Sequence, residues 1–511
     1  MIDVLLTHSY FLRFDPKEFE AMMPYPPLGT LYAASVARRR GYSVALFDSM
    51  LAEREADIAP MISFHQPRVV VIYDDDFNYL TKMCLTRMRE AAFRMARISK
   101  DAGCIVIVHG SDPVDHVEKY IENGADFVIC GEGERTLEEL LDLLLREQRN
   151  PTTIPGLAFS AGGRVHRTPP RKAIRTLDEL PFPAWDLVDV ERYRKAWKSR
   201  HGYFSVNMVT TRGCPYHCNW CAKPLYGQAY NSRSVENVVS EMLYLRETVR
   251  PDHIWFCDDI FGLVPGWVEA FSREVIRRSA VIPFKCLARV DLLTKGSTID
   301  ELRRAGCSSV WVGAESGSQK ILDAMEKGTT VEQIREAARR LRGAGIRTGF
   351  FLQYGYPGET RQDIELTLRM IQECRPDDIG ISVSYPLPGT KFFDRVKEML
   401  GDKHNWVDSR DLDLMIPGTF RPEFYRTLHR FTHKRLRLWQ GIDQLRAVAR
   451  RPWLLSPGAV RRIAAAAYHA LTLPALRMRM NALARPDDKT RASSGAGPLL
   501  GAPPALRPSL N

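Results

Sequence analysis

The chain has 511 residues, 45% of them hydrophobic and 26% charged, with a formal net charge of +11. This length is too great for one hydrophobic core and predicts two or three domains. The sequence contains no run of about 18 uninterrupted apolar residues, so it predicts no membrane span. The first residues also lack the basic segment and the cleavage site of a signal peptide. We therefore expect a cytoplasmic protein with reduced cysteines.

The first segment, residues 1–148, alternates short apolar runs with stretches of helical periodicity. One predicted helix covers residues 28–40 and ends at Gly41. The continuous apolar runs indicate parallel strands that are covered on both faces, as in a doubly wound Rossmann-like α/β domain. The predicted strands are residues 4–6, 44–48, 69–73, 105–108 and 127–130.

Ligands of such sheets lie at the carboxyl ends of the strands. Polar or glycine residues follow each predicted strand of this segment. The residues selected there as ligand-binding candidates are Ser9, Asp48, Gly110, Ser111, Gly131 and Glu132.

Residues 149–200 differ in character because prolines interrupt them repeatedly and exclude a long helix. We predict a packed linker between two domains. The prolines are Pro155, Pro169, Pro170, Pro181 and Pro183.

Residues 201–425 contain six predicted strands that alternate with helices, which indicates a partial (β/α)6 barrel. Polar residues gathered at the carboxyl ends of barrel strands are typical of a catalytic site. The predicted strands are residues 204–210, 253–257, 284–289, 309–313, 348–353 and 379–384.

The loop after the first barrel strand carries Cys214, Cys218 and Cys221 in the spacing C-x3-C-x2-C. Three thiolates this close can bind three irons of a cubane cluster and leave the fourth iron open to another ligand. His217 in the same loop allows the alternative of a Cys3His zinc site. The other cysteines are scattered singly and are interpreted as small core residues.

With Trp220 directly before the third cysteine, this loop resembles the cluster loop of the radical S-adenosylmethionine (SAM) superfamily. The resemblance implies a [4Fe-4S] cluster whose open iron binds SAM, cleavage of SAM to a 5'-deoxyadenosyl radical, and an external electron donor of the flavodoxin or ferredoxin type. It also implies SAM contacts at successive strand ends. They are Trp220 at the adenine, Asp258 and Asp259 at the ammonium, Arg289 at the carboxylate, and Glu315 and Ser316 at the ribose.

The first domain resembles the cobalamin-binding domain that precedes the radical domain in one large subclass. The resemblance rests on Pro-Pro-Leu-Gly at 26–29, on Asp48 and on Gly-Glu-Gly-Glu at 131–134. The string D-x-H-x-x-G, which supplies a lower cobalt ligand in many cobalamin domains, does not occur. Many members of the subclass also lack it and hold the corrin without histidine. The candidates at the strand ends of the first domain would then contact cobalamin, and the alternative is a purely structural Rossmann-like domain.

Together these resemblances imply methylation of an unactivated carbon in a small-molecule or lipid-like substrate. One alternative is oxidative cyclisation or rearrangement, as in the anaerobic cyclase of chlorophyll synthesis, which the domain order also resembles. Another is an iron-sulfur electron-transfer module, which would need no contacts to SAM. The sequence singles out no catalytic side chain.

Residues 426–485 are strongly basic, and arginines alternate there with apolar side chains. We interpret them as a helical appendage packed on the barrel, with a solvated basic face. The alternative is a pair of basic amphipathic helices that lie on an anionic membrane surface. No motif indicates a specific nucleic-acid partner. Residues 486–511 are rich in Ser, Gly and Pro, which predicts a disordered tail.

Overall fold

The computed structural model describes residues 1–147, 150–223 and 225–484. The chain forms two compact units. The boundaries of these units differ from the predicted domain boundaries, which stay a prediction. The tail predicted at 486–511 lies outside the described residues. Unit 1 contains residues 1–312, 340–348 and 386–411, and unit 2 contains 313–339, 349–385 and the described residues from 412 onward.

The first sheet of unit 1 has seven strands in the order β2-β1-β3-β4-β5-β6-β7. The first five are parallel to one another, so the predicted doubly wound domain is confirmed. These five strands are β1 (Val4–Thr7), β2 (Val44–Phe47), β3 (Val69–Tyr73), β4 (Ile105–His109) and β5 (Phe127–Ile129).

An antiparallel hairpin of β6 (Leu157–Ala161) and β7 (Arg164–Arg167) extends this sheet at β5. These residues fall within the predicted linker, so the hairpin corrects that prediction. The signal was present, because Gly162 and Gly163 both have positive φ (58° and 75°) and form the two-residue turn that joins such strands.

Helices cover both faces of the first sheet. Ala33, Ala34 and Leu137 pack on one face, and Ala91 and Met95 pack on the other. The buried sheet explains why its strands are continuous apolar runs. The helices of this part are α1 (Pro16–Ala21), α2 (Leu28–Arg39), α3 (Ile58–His65), α4 (Tyr79–Lys82), α5 (Thr86–Asp101), α6 (Ser111–Asp115), α7 (Val117–Glu122), α8 (Glu134–Asp142) and α9 (Val190–His201).

The barrel strands of unit 1 lie side by side and parallel in the order β8-β11-β12-β13. Phe256 and Phe284 pack against Phe271 of the helix that follows β11, which identifies the outer face of this sheet. A short antiparallel pair, β9 with β10, follows β8. The strands are β8 (Ser205–Met208), β9 (Thr211–Arg212), β10 (Asn231–Ser232), β11 (His253–Phe256), β12 (Phe284–Ala288) and β13 (Cys307–Glu315). The helices are α10 (Val235–Thr248), α11 (Trp267–Arg277), α12 (Val290–Leu293) and α13 (Thr298–Arg304).

In unit 2, β14 (Arg347–Tyr354) and β15 (Asp378–Val383) pair in parallel from Gly349 onward. The strands and helices expected of the partial barrel are therefore present. The remaining helices of the chain are α14 (Gln319–Ala324), α15 (Val331–Gly343), α16 (Arg361–Cys374), α17 (Lys391–Val396), α18 (Pro422–Arg450) and α19 (Pro457–Leu483).

The predicted basic appendage consists of α18 and α19, which pack closely against each other. Gly441 of α18 permits this approach, since a Cβ atom there would collide with Ala466 of α19. Several arginines of these helices pair with other parts of unit 2. For example, a guanidinium nitrogen of Arg437 lies 3.2 Å from Oδ1 of Asp378. Among the described residues, no helix is long and apolar enough to cross a membrane.

Candidate functional site

The cysteine loop begins directly after β9 and turns at Gly213. This residue has φ of +80°, and a side chain there would collide with the carbonyl of Ala229, so only glycine fits. Cys214 is buried, Cys218 and Cys221 are partly buried, and all three thiols are free. The loop thus presents three unbonded cysteines at the carboxyl end of the first barrel strand.

Lysine and backbone contacts hold the cysteine loop together. Lys223 Nζ donates to the carbonyl of Cys214 at 2.8 Å and also to that of Tyr216. Burial, the Asp259 carboxylate and the Cys218 thiol together raise the pKa of Cys221 to about 12. Metal binding must therefore displace a proton from this thiol.

The donor set of the loop fits an iron-sulfur cluster. Among the described residues, no three His, Cys, Asp or Glu side chains converge as they would around one metal ion. A cubane places each cysteine on a different iron, and Cys214, Cys218 and Cys221 lie close enough for their charges to interact. These residues would hold the cluster.

Two of the residues predicted to contact SAM lie beside the cysteine loop. The Arg289 guanidinium stacks over the Tyr216 ring at 3.6 Å, and its Nε donates to Asp291 at 3.0 Å. Asp259 pairs with Lys82 of α4 at 2.7 Å, so a side chain from the first sheet reaches the edge of the barrel. These contacts hold Arg289 and Asp259 in defined orientations.

Asp258 is buried, and its carboxylate is hydrogen-bonded to neighbouring residues of the protein. Its carboxylate accepts hydrogen bonds from the backbone N–H groups of Thr210 and Thr211 and from the Thr210 hydroxyl, each at 2.7 Å. Burial raises its pKa to about 6 in spite of these donors. The carboxylate fixes the turn between β8 and β9, and its contact with the SAM ammonium stays a prediction.

Glu315 and Ser316 belong to unit 2. Glu315 has φ of +56°, which is strained for a side chain of this size, and its carboxylate pairs with Lys327 at 2.8 Å. The Ser316 hydroxyl lies 3.2 Å from that of Thr367. Strained backbone is frequent at ligand sites, and the roles of both residues at the SAM ribose stay predictions.

The carboxyl edge of the first sheet is crowded with buried acids. Asp74 accepts the N–H of Ser9 at 2.7 Å, and Asp75 accepts the N–H of Gly29 at 2.9 Å. Gly110 has φ of +145° and lies so close to Asp74 that a Cβ atom would come within 2.9 Å of it. The edge therefore brings the candidates Ser9 and Gly110 together around Asp74.

Two buried oxygen atoms of this edge, the Ser111 hydroxyl and Oδ1 of Asp76, have no hydrogen-bond partner within the described part of the chain. Buried polar atoms in native proteins almost always have one, and a ligand can supply it. Gly131 is only half-buried, and a Cβ atom built there would meet only the carbonyl oxygen of Leu225, at 3.9 Å. This edge therefore fits an amide-rich ligand such as cobalamin. Ser111 and Gly131 would help to hold it.

Asp48 and Glu132 are already engaged by the protein. Asp48 contacts His8 at 3.1 Å and accepts the Tyr193 hydroxyl of α9 at 2.7 Å. The two oxygens of Glu132 accept from Arg212 and from the N–H of Ile174. A contact from Glu132 to cobalamin would therefore have to come from its backbone.

Arg212 is a site residue that the sequence analysis missed. It directly precedes Gly213, and its guanidinium donates to Glu132 at 2.6 Å and to Glu134 at 2.7 Å. The three side chains are almost fully buried. Burial alone would raise the pKa of Glu134, but the charge and hydrogen bond of Arg212, together with a backbone hydrogen bond, lower it. The Gly-Glu-Gly-Glu motif thus anchors the start of the cysteine loop. The sequence signal for this role was an arginine two residues before the first cysteine of the motif.

A cleft open to solvent lies between the carboxyl edge of the first sheet and the cysteine loop. One side is formed by Lys82 of α4 and Ser111 of α6. The other side is formed by residues of the barrel part, namely Gly213, Ala222, Lys223, Leu225, Tyr226 and Asp259. The cleft therefore joins the predicted cobalamin edge to the predicted cluster loop.

Two family patterns match the chain. The B12 binding domain matches residues 20–141, and the radical SAM superfamily matches residues 208–371. An uncharacterized methyltransferase of Pyrococcus horikoshii is 30% identical over 376 residues, which make up 72% of this chain and 78% of the relative. The anaerobic magnesium-protoporphyrin IX monomethyl ester cyclase of Rubrivivax gelatinosus is 25% identical over 409 residues, 77% of this chain and 69% of the relative.

Solved structures share the fold. The cobalamin-dependent radical SAM enzyme OxsB with bound aqua-cobalamin superposes with a TM-score of 0.69 and 16% identity, covering 96% of this chain and 74% of OxsB. TsrM from Kitasatospora setae, with cobalamin and a [4Fe-4S] cluster bound, superposes with a TM-score of 0.63 and 20% identity. The match covers 78% of this chain and 75% of TsrM. The chain belongs to the radical S-adenosylmethionine superfamily, in the branch that carries a cobalamin-binding domain ahead of the radical domain.

Proposed function

We propose that this enzyme transfers a methyl group to an unactivated carbon of a small-molecule substrate. The observation that carries the proposal is the cleft, because Ser111 of the predicted cobalamin edge and residues of the cysteine loop both line it. The uncharacterized methyltransferase from Pyrococcus horikoshii, which matches most of both chains, supports methyl transfer.

The bound cofactors would supply one-electron cleavage of SAM and a transferable methyl group. The protein contributes position and charge. Arg289, stacked on Tyr216, offers a cation for the SAM carboxylate, and the Arg212 pair with Glu132 and Glu134 fixes where the cysteine loop begins. The Lys82–Asp259 pair links the two sides of the cleft.

The experiment that tests the proposal is anaerobic. The protein is reconstituted with iron, sulfide and cobalamin, then given SAM and a chemical reductant or reduced flavodoxin, and 5'-deoxyadenosine and S-adenosylhomocysteine are quantified by mass spectrometry. Both products are expected. Cys218→Ala should form no deoxyadenosine. Absence of both products from protein with an intact cluster would contradict the proposal.

Oxidative cyclisation is the second candidate, and the similarity to the anaerobic cyclase of Rubrivivax gelatinosus favours it. The same assay separates the two, because cyclisation consumes no methyl group. Deoxyadenosine without S-adenosylhomocysteine would therefore favour cyclisation or rearrangement over methylation.

A lipid-like substrate and peripheral membrane contact are a further part of the proposal, supported by exposed apolar side chains in the basic C-terminal segment. Trp453 (77% exposed), Leu455 and Leu471 are solvent-exposed in the same segment as Arg451 and Arg461. Apolar side chains beside arginines suit an anionic lipid surface. Co-sedimentation with phosphatidylglycerol vesicles, compared with Trp453→Ser and with phosphatidylcholine vesicles, tests it; equal recovery in all three cases would contradict it.

A further inference from the structure

Four side chains form a row across the inner face of the barrel sheet, below the strand ends. The strand register pairs Asn207 with Trp255, Trp255 with Lys285, and Lys285 with Ser309. Residues in parallel register share a face, and this face is opposite the one that packs on α11. We call these four residues the lumen row.

Two polar atoms of the lumen row lack a partner among the described residues, whereas the amide nitrogen of Asn207 donates to the carbonyl of Pro26 at 3.0 Å. Oδ1 of Asn207 and Nε1 of Trp255 are buried, and neither has a hydrogen-bond partner among the described residues. Leaving such a group unpaired costs about 1–3 kcal/mol, so native proteins keep few of them. A donor and an acceptor on adjacent strands are thus both available to a ligand.

Lys285 adds a positive charge without a counter-ion. Its Nζ lies 4.5 Å from the Trp255 ring and 5.3 Å from the Tyr25 ring, and no carboxylate within the described ranges pairs with it. Burial lowers its pKa to about 8, and the nearest acidic groups, Cys257 and Glu18, act only weakly and in the opposite direction. Aromatic faces attract a cation but do not neutralise it.

Buried arginines of unit 1, in contrast, have carboxylate partners. Arg89, Arg212 and Arg233 each pair with a buried carboxylate. Buried charges are normally paired in this way because desolvation is costly. Lys285, which is half-buried, departs from this pattern because no described carboxylate pairs with it.

We propose that the lumen row binds an oxyanion, a carboxylate or a phosphate, at one end of the substrate. Lys285 would neutralise the charge and Trp255 Nε1 would donate to one oxygen. Asn207 Oδ1 would accept from an N–H or O–H group beside the oxyanion. The inference rests on the proposed function, since it assigns this anion to the molecule that reacts above it.

The position of the row bears on substrate length. Arg289 follows Lys285 by four residues along the same strand direction, and extended backbone rises about 3.3 Å per residue, so about 13 Å separate them. Arg289 stacks on Tyr216 of the cysteine loop. A substrate anchored at the lumen row would therefore have to extend by about this distance to bring its reacting carbon to the cleft.

The test uses lysine labelling of the full-length protein without SAM or turnover, so its result does not depend on the methylation assay. Limiting acetic anhydride is added with millimolar inorganic phosphate, succinate or chloride, and acetylation of each lysine is quantified by mass spectrometry. Lys285 is expected to react several-fold more slowly with one of the two oxyanions than with chloride. Lys100, an exposed residue paired with Asp126, is the control and should not change.

The two arms separate the sources of the anion: protection by phosphate indicates a phosphorylated substrate, and protection by succinate indicates a carboxylic acid. Trp255→Phe, which keeps the packed ring but removes the donor, should reduce the protection. If neither anion changes the labelling of Lys285, or if Trp255→Phe leaves the protection unaltered, the lumen row is only the floor of the barrel and the proposal is wrong.

Discussion

The carboxyl edges of the two sheets of unit 1 differ in how their polar groups are satisfied. At the barrel edge, Asp258 accepts three hydrogen bonds from Thr210 and Thr211, and Arg289 pairs with Asp291. At the edge of the first sheet, the Ser111 hydroxyl and Oδ1 of Asp76 have no partner among the described residues. The charged groups of the barrel edge are thus held by the protein itself, although the buried Thr211 hydroxyl there also lacks a partner among the described residues. The other edge leaves a carboxylate oxygen and a hydroxyl available to a ligand.

This difference suits the two cofactors. A cluster loop must hold three thiols at fixed positions, so its surroundings are tied together by Lys223, Arg212 and Asp258. A corrin is large and carries many amides, so the surface that receives it can leave hydroxyl and carboxylate oxygens to be satisfied on binding. Each prediction below changes one edge and asks whether the other one responds.

The largest effect is expected for Cys218→Ala at the barrel edge. Loss of groups that merely support metal ligands costs about 10–100-fold in metal affinity or activity, so loss of a direct ligand should lower SAM cleavage by at least about 100-fold. Iron content should fall with it, while cobalamin, held by the other edge, should be retained. Iron analysis and the cobalamin absorption spectrum measure both, and Cys130→Ala is the matched control. Equal iron in both variants would contradict the assignment of the cluster.

Arg212→Met tests the junction between the two edges. It leaves the buried carboxylates of Glu132 and Glu134 facing each other without a cation, and breaking a buried ion pair in this way costs about 3–5 kcal/mol. The urea midpoint followed by circular dichroism should fall strongly, and the triple variant with Glu132→Gln and Glu134→Gln should recover part of it. Glu336→Gln, in an exposed pair with Arg339, is the control and should shift stability by less than about 0.5 kcal/mol.

Asp74 at the first edge should make stability depend on pH. Burial raises its pKa to about 6, and an unfolded aspartate has a pKa of about 3.9. Between about pH 4 and pH 6 the unfolded chain loses this proton while the folded chain keeps it, so stability should fall with rising pH by about 2–3 kcal/mol. Urea midpoints across this range should show the fall, and Asp74→Asn should remove its share. Parallel pH profiles of the two proteins would refute the assignment.

The smallest effects come from a matched pair of hydroxyl deletions. Thr210→Val removes a donor from buried Asp258 and should cost about 1–3 kcal/mol of stability. Ser111→Ala removes a hydroxyl that has no partner among the residues the structure describes, so the cobalamin-free protein should be equally stable or slightly more so. Its cobalamin affinity should nevertheless fall about five-fold, which corresponds to about 1 kcal/mol. Thermal unfolding and cobalamin titration measure both; destabilisation by Ser111→Ala would remove the distinction between the edges.

Much of this architecture is predictable from the sequence because it depends on local patterns. The parallel strands of the first sheet are nearly continuous apolar runs, and the barrel strands, although they include polar residues, alternate regularly with predicted helices. The cysteine spacing identifies its loop without any structure. The hairpin at 157–167 was missed because the prolines around it outweighed the Gly162–Gly163 turn signal.

The contacts between the two edges could not be predicted. Arg212 meets Glu132 and Glu134 across about 80 residues of sequence, and Lys82 meets Asp259 across 177. The hydrophobic periodicity of a sequence does not show which charged residues, distant along the chain, become neighbours in the fold. The lumen row was hidden for the same reason, since its four residues become adjacent only through the register of four strands.

The central claim is that one chain brings a cluster and cobalamin to opposite sides of one cleft. The most direct measurement is electron paramagnetic resonance of protein that carries both the reduced cluster and cob(II)alamin. The account predicts that the cobalt signal relaxes faster when the cluster is reduced, and that Cys218→Ala abolishes this change. Cobalt relaxation that does not respond to reduction of a fully assembled cluster would contradict it.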